Sequence, residues 1–360
     1  MAYVPEWRNM KAEQIPGNML THLLYAFSLV NEQGECTTFD APESATRNLE
    51  MLKEIKTRYP HLRMFISVGG WTGSANFSSA VLTAQSRQKL IKSCIDMWIK
   101  GGVTDIFDGI DIDWEYPGSA GETRNFRPED KVNFAALMTE FRRELADLCS
   151  ANGKRYLLSA ALGVTPPIVA AGYDIPALAK VMDYFNLMVY DLHGAEEPNG
   201  PTNFHNPLYA ATDDPSPDEM RRTSNVESVV ERFIAGGAAP AQLVVGLPFY
   251  ARGWKGVENV NSGLFQKARG TVGASYSVIK SEYEPVSRKF HHPETRTPYL
   301  YNPQTGVFLA YEDPQSAREK AAYVVKHNLG GAMFWEMSED DAQFSLTTAL
   351  YTGLGLNRRA

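Results

Sequence analysis

Eight short apolar runs, most followed by a helical pattern, predict an α/β fold, a TIM (β/α)8 barrel with a small α+β insertion between its seventh and eighth strands. No GxGxxG follows the first run, so the competing doubly wound open sheet lacks its usual mark. A third observation places the insertion. More than eighty residues separate Leu247 from Gly331, and only one helical pattern in that span fits the repeat.

In chain order the predicted strands are 2–5, 22–28, 63–68, 107–113, 156–162, 184–190, 243–247 and 331–335. Between them, apolar residues recur at helical spacing. Leu49, Leu52 and Ile55 form one stripe, and Ile91, Cys94, Ile95 and Trp98 form a second. Phe134, Leu137, Met138, Phe141, Leu145 and Leu148 form the clearest stripe. Val226, Val229, Val230 and Phe233 follow, closed by Gly236-Gly237. The last predicted helix opens with Asp313-Pro314, a cap residue and then proline at the first helical position, and ends near Asn328. The barrel is therefore expected over 1–253 and 311–360. Residues 254–310, rich in Tyr, Ser, Gly and charge, are expected to form the insertion, with YLYNPQTGVFLAY reading as two strands around a turn.

The chain has 360 residues, 44% hydrophobic and 21% charged, which is ordinary for a globular protein with a large core. A net charge of −7 argues against nucleic acid or an anionic membrane as the main partner. No apolar run is long enough to span a bilayer. Met1-Ala2 leads directly into what reads as the first strand, so no leader peptide is expected within this sequence, the protein being either made without one or already trimmed of it. Cys36, Cys94 and Cys149 are odd in number, widely spaced and without a CxxC. They are expected to be neither a disulfide framework nor a zinc site, with Cys94 and Cys149 as small core residues.

Residues 107–118, FDGIDIDWEYPG, form the most unusual stretch. Residues two apart on a strand share a face, so Asp111, Asp113 and Glu115 line up on one side, with Ile110 and Ile112 on the other. Like charges side by side cannot all stay ionised away from water. Such a row is a metal site, a proton-transfer relay or an exposed acidic edge. A metal is disfavoured, because no His-rich ligand set and no phosphate-binding glycine motif accompany the acids. Asp108 has the opposite parity and is expected to serve structure.

In a barrel of this kind chemistry collects at the C-terminal ends of the strands. The third strand runs into Ser67, Val68, Gly69, Gly70, Trp71 and Thr72, and the fourth into Trp114, Glu115 and Tyr116. The sixth ends in Met188, Val189, Tyr190 and Asp191. Tyr250, Arg252 and Trp254 follow the seventh, and the eighth ends in Phe334, Trp335 and Glu336. Any one tryptophan is equally at home in a core. Several of them at strand ends beside carboxylates describe a sugar site, because aromatic faces stack on pyranose rings. His193 could touch substrate, whereas His291-His292 reads as a solvated surface pair.

The run from Asp108 to Glu115 resembles the DxxDxDxE signature of family 18 glycoside hydrolases, the chitinase family. The SxGG at Ser67, the MxYD at Met188, the GxPxYxR-like run from Gly246 to Arg252 and the GGAMFW ending at Trp335 are similar to further family motifs, in the same order. The helix beginning near Asn133-Phe134 and the insertion before the eighth strand also resemble the deep-cleft bacterial and animal members. An isolated DxDxE is weak; five ordered motifs are specific, and the resemblance covers the chain from Tyr3 to Trp335.

The resemblance implies hydrolysis of chitin or chito-oligosaccharides by a retaining mechanism in which the substrate assists. It implies Glu115 as general acid, Asp113 as partner of the sugar's acetamido N–H, and Asp111 as sharer of a proton with Asp113. Tyr190 and Asp191 are implied to contact the sugar being cleaved, with Trp335 as the floor beneath it. Gly70, Trp71, Thr72, Tyr116, Met188 and Arg252 are implied to line substrate positions, joined by Tyr3 and Phe27, while Ser67, Gly69 and Asp108 shape the motifs. No cofactor or metal is expected. The expected protein is a secreted monomer that binds neither nucleic acid nor membrane. A non-catalytic chitin-binding lectin and an endo-β-N-acetylglucosaminidase acting on N-glycans are the alternatives; the lectin relatives lack the general acid that Glu115 supplies here.

Overall fold

The computed structural model describes residues 1–38, 42–101 and 105–356. Fourteen strands are present among them: β1 (Ala2–Pro5), β2 (His22–Val30), β3 (Cys36–Thr38), β4 (Arg63–Gly69), β5 (Gly109–Asp113), β6 (Leu157–Leu162), β7 (Tyr184–Leu187), β8 (Leu243–Pro248), β9 (Tyr250–Trp254), β10 (Thr271–Ser275), β11 (Arg288–His291), β12 (Pro298–Asn302), β13 (Val307–Ala310) and β14 (Gly331–Trp335). One sheet has the order β1-β14-β8-β7-β6-β5-β4-β2-β3, and β1 also pairs with β2. That closure gives the eight-stranded (β/α)8 barrel read from the sequence. The chain separates into two compact units, Met1–Leu187 with Phe233–Val244, and Met188–Arg232 with Val245–Ala360.

In the first unit the parallel ladders run in register through Ser67↔Asp111 and Asp111↔Ser159. The strands are buried on both faces, as the long apolar runs require. Helices Pro42–Arg58, Ala84–Ile95 and Asp130–Asn152 cover them with the predicted stripes, including Leu52, Ile55, Ile91, Phe134, Leu137 and Phe141. Asp108 sits where β5 begins. Its carboxylate takes Lys56 Nζ at 2.5 Å and the Met64 N–H at 2.9 Å, with Lys154 and Arg63 nearby. It thereby ties the start of β5 to β4 and to the helix before β4.

Two expectations are corrected here. Cys36 and Cys94 form a disulfide, with Cα atoms 5.0 Å apart, while Cys149 is only half-buried. The bridge joins β3, an edge strand antiparallel to β2 that the sequence reading did not contain, to helix Ala84–Ile95. A pairing across 58 residues depends on that unforeseen strand, so spacing alone could not reveal it. Linking residues this far apart restricts the unfolded chain by an amount worth about 4 kcal/mol in the chain-entropy account. Cys94→Ser is expected to lower the unfolding free energy by roughly 2–4 kcal/mol, read from the urea midpoint. An unchanged midpoint would show that the bridge carries no stability.

In the second unit, β10-β9-β13-β12-β11 form a five-stranded antiparallel sheet. Strands β12 and β13 pair around the turn after Asn302. Its core is aromatic. Phe204, Trp254, Tyr301 and Phe308 are buried together, and Tyr299 stacks between Phe290 and Phe308 at 4.9 and 5.1 Å. Asp313 caps helix Pro314–Lys326 through the N–H groups of Gln315 and Ser316, each at 2.9 Å. That helix is not the last one. Ser345–Gly353 follows β14 and is anchored by Asp340, which accepts from the Thr347 N–H and hydroxyl at 2.9 and 2.7 Å.

Candidate active site

The acidic row on β5 is built by its neighbours. Asp111 is fully buried, and the serines beside it in register, Ser67 on β4 and Ser159 on β6, donate to its carboxylate at 2.7 and 2.6 Å. The Tyr3 hydroxyl adds a bond at 3.0 Å and Asn186 Nδ2 one at 3.1 Å. Burial pushes the Asp111 carboxyl up, while these four donors pull against it. Asp113 shares its face and is almost as buried, yet its Oδ1 has no hydrogen-bond partner among the described residues. Burial, then Glu115, then Asp111 hold its carboxyl well above the ordinary range. The row is thus a graded set, with one buried acid met by four hydrogen-bond donors beside one that prefers its proton.

Alternation continues past the strand. Trp114 points away from the acids and stacks on Phe77 at 5.3 Å. Glu115, just past the strand, is half-buried and near enough to Asp113 for its charge to raise that carboxyl. Gly69 and Gly70 both have positive φ, at 117° and 84°. A side chain on Gly70 would meet the Phe27 ring at 2.5 Å, so only glycine lets the chain pass there. The Gly70 N–H donates to the Asp113 carbonyl at 2.8 Å, closing the end of β4 onto the end of β5.

Around this turn the aromatic surface is open. Trp71 is 45% exposed, donates its indole N–H to Glu122 at 2.6 Å and meets the Tyr116 ring edge-on at 6.4 Å. Thr72 is exposed, and Phe27 lies 6.1 Å from the exposed Trp7 ring. Burial, then Glu115, raise the Tyr116 phenol. The peptide bonds preceding Phe27, Tyr116 and Glu336 are cis.

In the second unit Met188 and Tyr190 are half-buried, and Asp191 turns the chain with φ 57°. The Arg252 guanidinium, on β9, grips the Asp191 carboxylate with two parallel bonds of 2.7 Å. The buried His205 ring lies 3.5 Å from the same carboxylate. Partial burial acts to raise Asp191, but Arg252 and His205 overcome it and hold the carboxyl well below the usual range. Tyr190 packs edge-on against Tyr250 at 6.3 Å. Trp335 ends β14, where its carbonyl accepts the Phe249 N–H at 2.8 Å.

Arg252 therefore reaches Asp191, which orients that carboxylate and fixes its charge. A carboxyl held low stabilises the fold above its unfolded value of about 4, and that contribution fades as the pH falls further. In Arg252→Ala the Asp191 titration is expected to move to higher pH, as followed by carbon NMR of the carboxyl groups. An unmoved titration would assign the depression to His205 instead.

Several placements lay beyond sequence reasoning. Ser74, buried, accepts the Glu115 backbone N–H at 2.9 Å. Asn206 Nδ2 donates to the carbonyls of Val189 and Gly246, and Lys320, paired with Glu312, bonds the Asn206 carbonyl at 2.6 Å. This buried group holds the main chain just before Tyr190. A small polar residue that is lined up with nothing in the sequence gives no signal, although Ser159 could have been found by strand register with Asp111. His193 is buried against Glu197 at 3.1 Å. His292 is not solvated, contrary to expectation. It is buried beside Phe204 and accepts the Thr295 N–H at 3.2 Å, because the insertion's aromatic core extends beneath it. Among the described residues no three His, Cys, Asp or Glu side chains are arranged to hold a metal ion, and no helix is long and apolar enough to cross a membrane.

Comparison with known proteins adds to this geometry. The profile of the family described as "Glycosyl hydrolases family 18" matches residues 1–340. Chitinase A1 of Niallia circulans is 35% identical over 318 residues, which are 84% of this chain and 44% of that protein. The chain thus spans less than half of that relative. The catalytic domain of psychrophilic chitinase B from Arthrobacter TAD20 matches with a TM-score of 0.88 at 31% identity, covering 98% of this chain and 94% of that one. A family 18 N-acetylglucosaminidase from Paenibacillus barengoltzii matches with a TM-score of 0.85 at 31% identity, covering 98% of each chain.

Proposed function

The chain belongs to family 18 of the glycosyl hydrolases, and on that premise we propose that it hydrolyses the β-1,4 bonds between N-acetylglucosamine units of chitin, with retention and with help from the substrate itself. The observation that carries this reading is the row Asp111, Asp113, Glu115, in which Asp113 is buried with an unpartnered carboxyl oxygen. A buried oxygen of that kind is costly unless a ligand completes it. An acetamido N–H is the right donor.

In the proposed sequence Glu115 protonates the glycosidic oxygen as the bond to the anomeric carbon breaks. The acetamido oxygen of the same sugar attacks that carbon and forms an oxazolinium ion. Asp113 accepts the acetamido N–H and steadies the positive charge. Asp111, fed by four donors, takes a share of the negative charge or proton as Asp113 changes state. Glu115, now a carboxylate, takes a proton from the water that opens the ring. We assign Tyr190 to the acetamido carbonyl, Asp191 to the sugar being cleaved and Trp335 to its apolar face. Trp71, Thr72, Tyr116, Met188 and Gly70 serve neighbouring positions. The disulfide supports work outside the cytosol, where such bridges persist and a polymeric substrate is found.

The N-acetylglucosaminidase likeness makes the substrate the point to test. Product chromatography on chitohexaose, on N-acetylglucosamine dimers and on an N-glycopeptide separates the readings. Internal cleavage of chitohexaose supports the proposal. Release only of single sugars, or cleavage only of the glycopeptide, replaces it.

A further inference from the structure

Glu115 lies two residues past Asp113, where β5 ends, so the ladder no longer fixes its main chain. Its backbone N–H donates to the Ser74 hydroxyl at 2.9 Å. The same hydroxyl has its proton directed at the carbonyls of Gly70 and Asp113, at 2.9 and 3.2 Å. Those two residues are joined in turn by the Gly70 N–H to Asp113 carbonyl bond at 2.8 Å. Ser74 is buried, so none of these groups has water as an easy substitute. One hydroxyl thus fastens the turn after β4 to the main chain on both sides of Trp114. Few side chains can both donate and accept from so small a volume.

Further along, Asp130 accepts from Ser78 at 2.7 Å, from the Arg127 N–H at 2.8 Å and from the Gly118 N–H at 3.3 Å. The loop that carries Glu115 is therefore held at its start by Ser74 and beyond Pro117 by Asp130. Only the first of these touches Glu115 itself.

We propose that Ser74 is a positioning residue for the proton donor: its hydroxyl sets the main chain of Glu115 relative to Asp113, and through it the aim of the carboxyl at the glycosidic oxygen. This rests on the reading of Glu115 as general acid. Removing the hydroxyl takes away the acceptor of the Glu115 N–H and lets Glu115 drift, while the Gly70 and Asp113 carbonyls keep the N–H groups of Gly73 and Gly70. A misplacement of about 1 Å at a catalytic group costs on the order of 100-fold in rate. The loss should follow the leaving group's need for a proton. A sugar hydroxyl needs one to depart, whereas an acidic phenol departs as its anion.

The test compares kcat/KM of Ser74→Ala on chitohexaose and on 2,4-dinitrophenyl chitobioside, with Glu115→Gln alongside. The expected result is a loss of roughly tenfold or more on the hexamer and a much smaller loss on the aryl substrate. Glu115→Gln should show the same asymmetry more strongly. The ratio of the two losses does not depend on how much of the sample is folded. If Ser74→Ala fails to fold, Ser74→Cys, close in shape and a weak donor, serves the same comparison. Equal losses on both substrates, or none, overturn the inference while leaving Glu115 in its role. Undiminished hexamer turnover by Glu115→Gln overturns the reading of the acid, and the inference falls with it.

Discussion

Glu115→Gln is expected to lower kcat on chitohexaose by roughly 10³-fold, within the range general acid–base catalysis supplies, while the sugar still binds. Glutamine keeps the shape and the hydrogen-bonding reach of the side chain but has no proton to give at the pH of reaction. The same residue is proposed to act twice, first as acid and then as base, so both halves of the reaction slow. Binding should survive, because the aromatic surface formed by Trp71 and Tyr116 does not depend on that proton. Calorimetry on the variant with chitohexaose checks the binding half, and initial rates check the other. A variant that turns over at wild-type rate would move the acid role to another residue.

Asp113→Asn is the second large effect, and it has two opposite signs. Activity is expected to fall by roughly 10²-fold, typical of removing one electrostatic stabiliser of a transition state. Stability at neutral pH is expected to rise. The native Asp113 carboxyl is held well above its ordinary value, first by burial and then by Glu115 and Asp111. The folded protein therefore binds this proton more tightly than the unfolded chain does. Its stability falls as the pH climbs from the unfolded value of about 4 toward the folded one, and stays lower beyond it. Asparagine has no such proton to lose. The melting temperature of the variant should exceed that of the wild type at pH 7, by roughly 2 °C for each 1 kcal/mol in a large domain. The gain should shrink as the pH is lowered toward 4. A gain that is independent of pH would show that packing, not charge, is responsible.

The barrel was legible because its strands are buried on both faces and so read as unbroken apolar runs, such as RMFISV and LVVGL. Period-two alternation placed Asp111 and Asp113 on one face and Ile110 and Ile112 on the other. The opposite parity of Asp108 foretold its place among Lys56, Lys154 and the Met64 N–H. Contacts that depend on two distant segments meeting were out of reach. The Cys36–Cys94 bridge needs the short edge strand β3, which has too few residues to show a pattern. Ser74 supports Glu115 from a turn that only two glycines at positive φ allow. The Arg252 grip on Asp191 joins residues 61 apart, and neither one hints at the other in the sequence.

The central claim is that the substrate's own acetamido group performs the attack. The anomeric form of the first product tests it most directly. Proton NMR of chitohexaose, followed from the first seconds after mixing, resolves α and β reducing ends before they interconvert. The account predicts newly formed ends that are β, relaxing slowly toward the equilibrium mixture. Initial α ends would mean direct displacement by water and would contradict the oxazolinium route from Asp113 and Glu115.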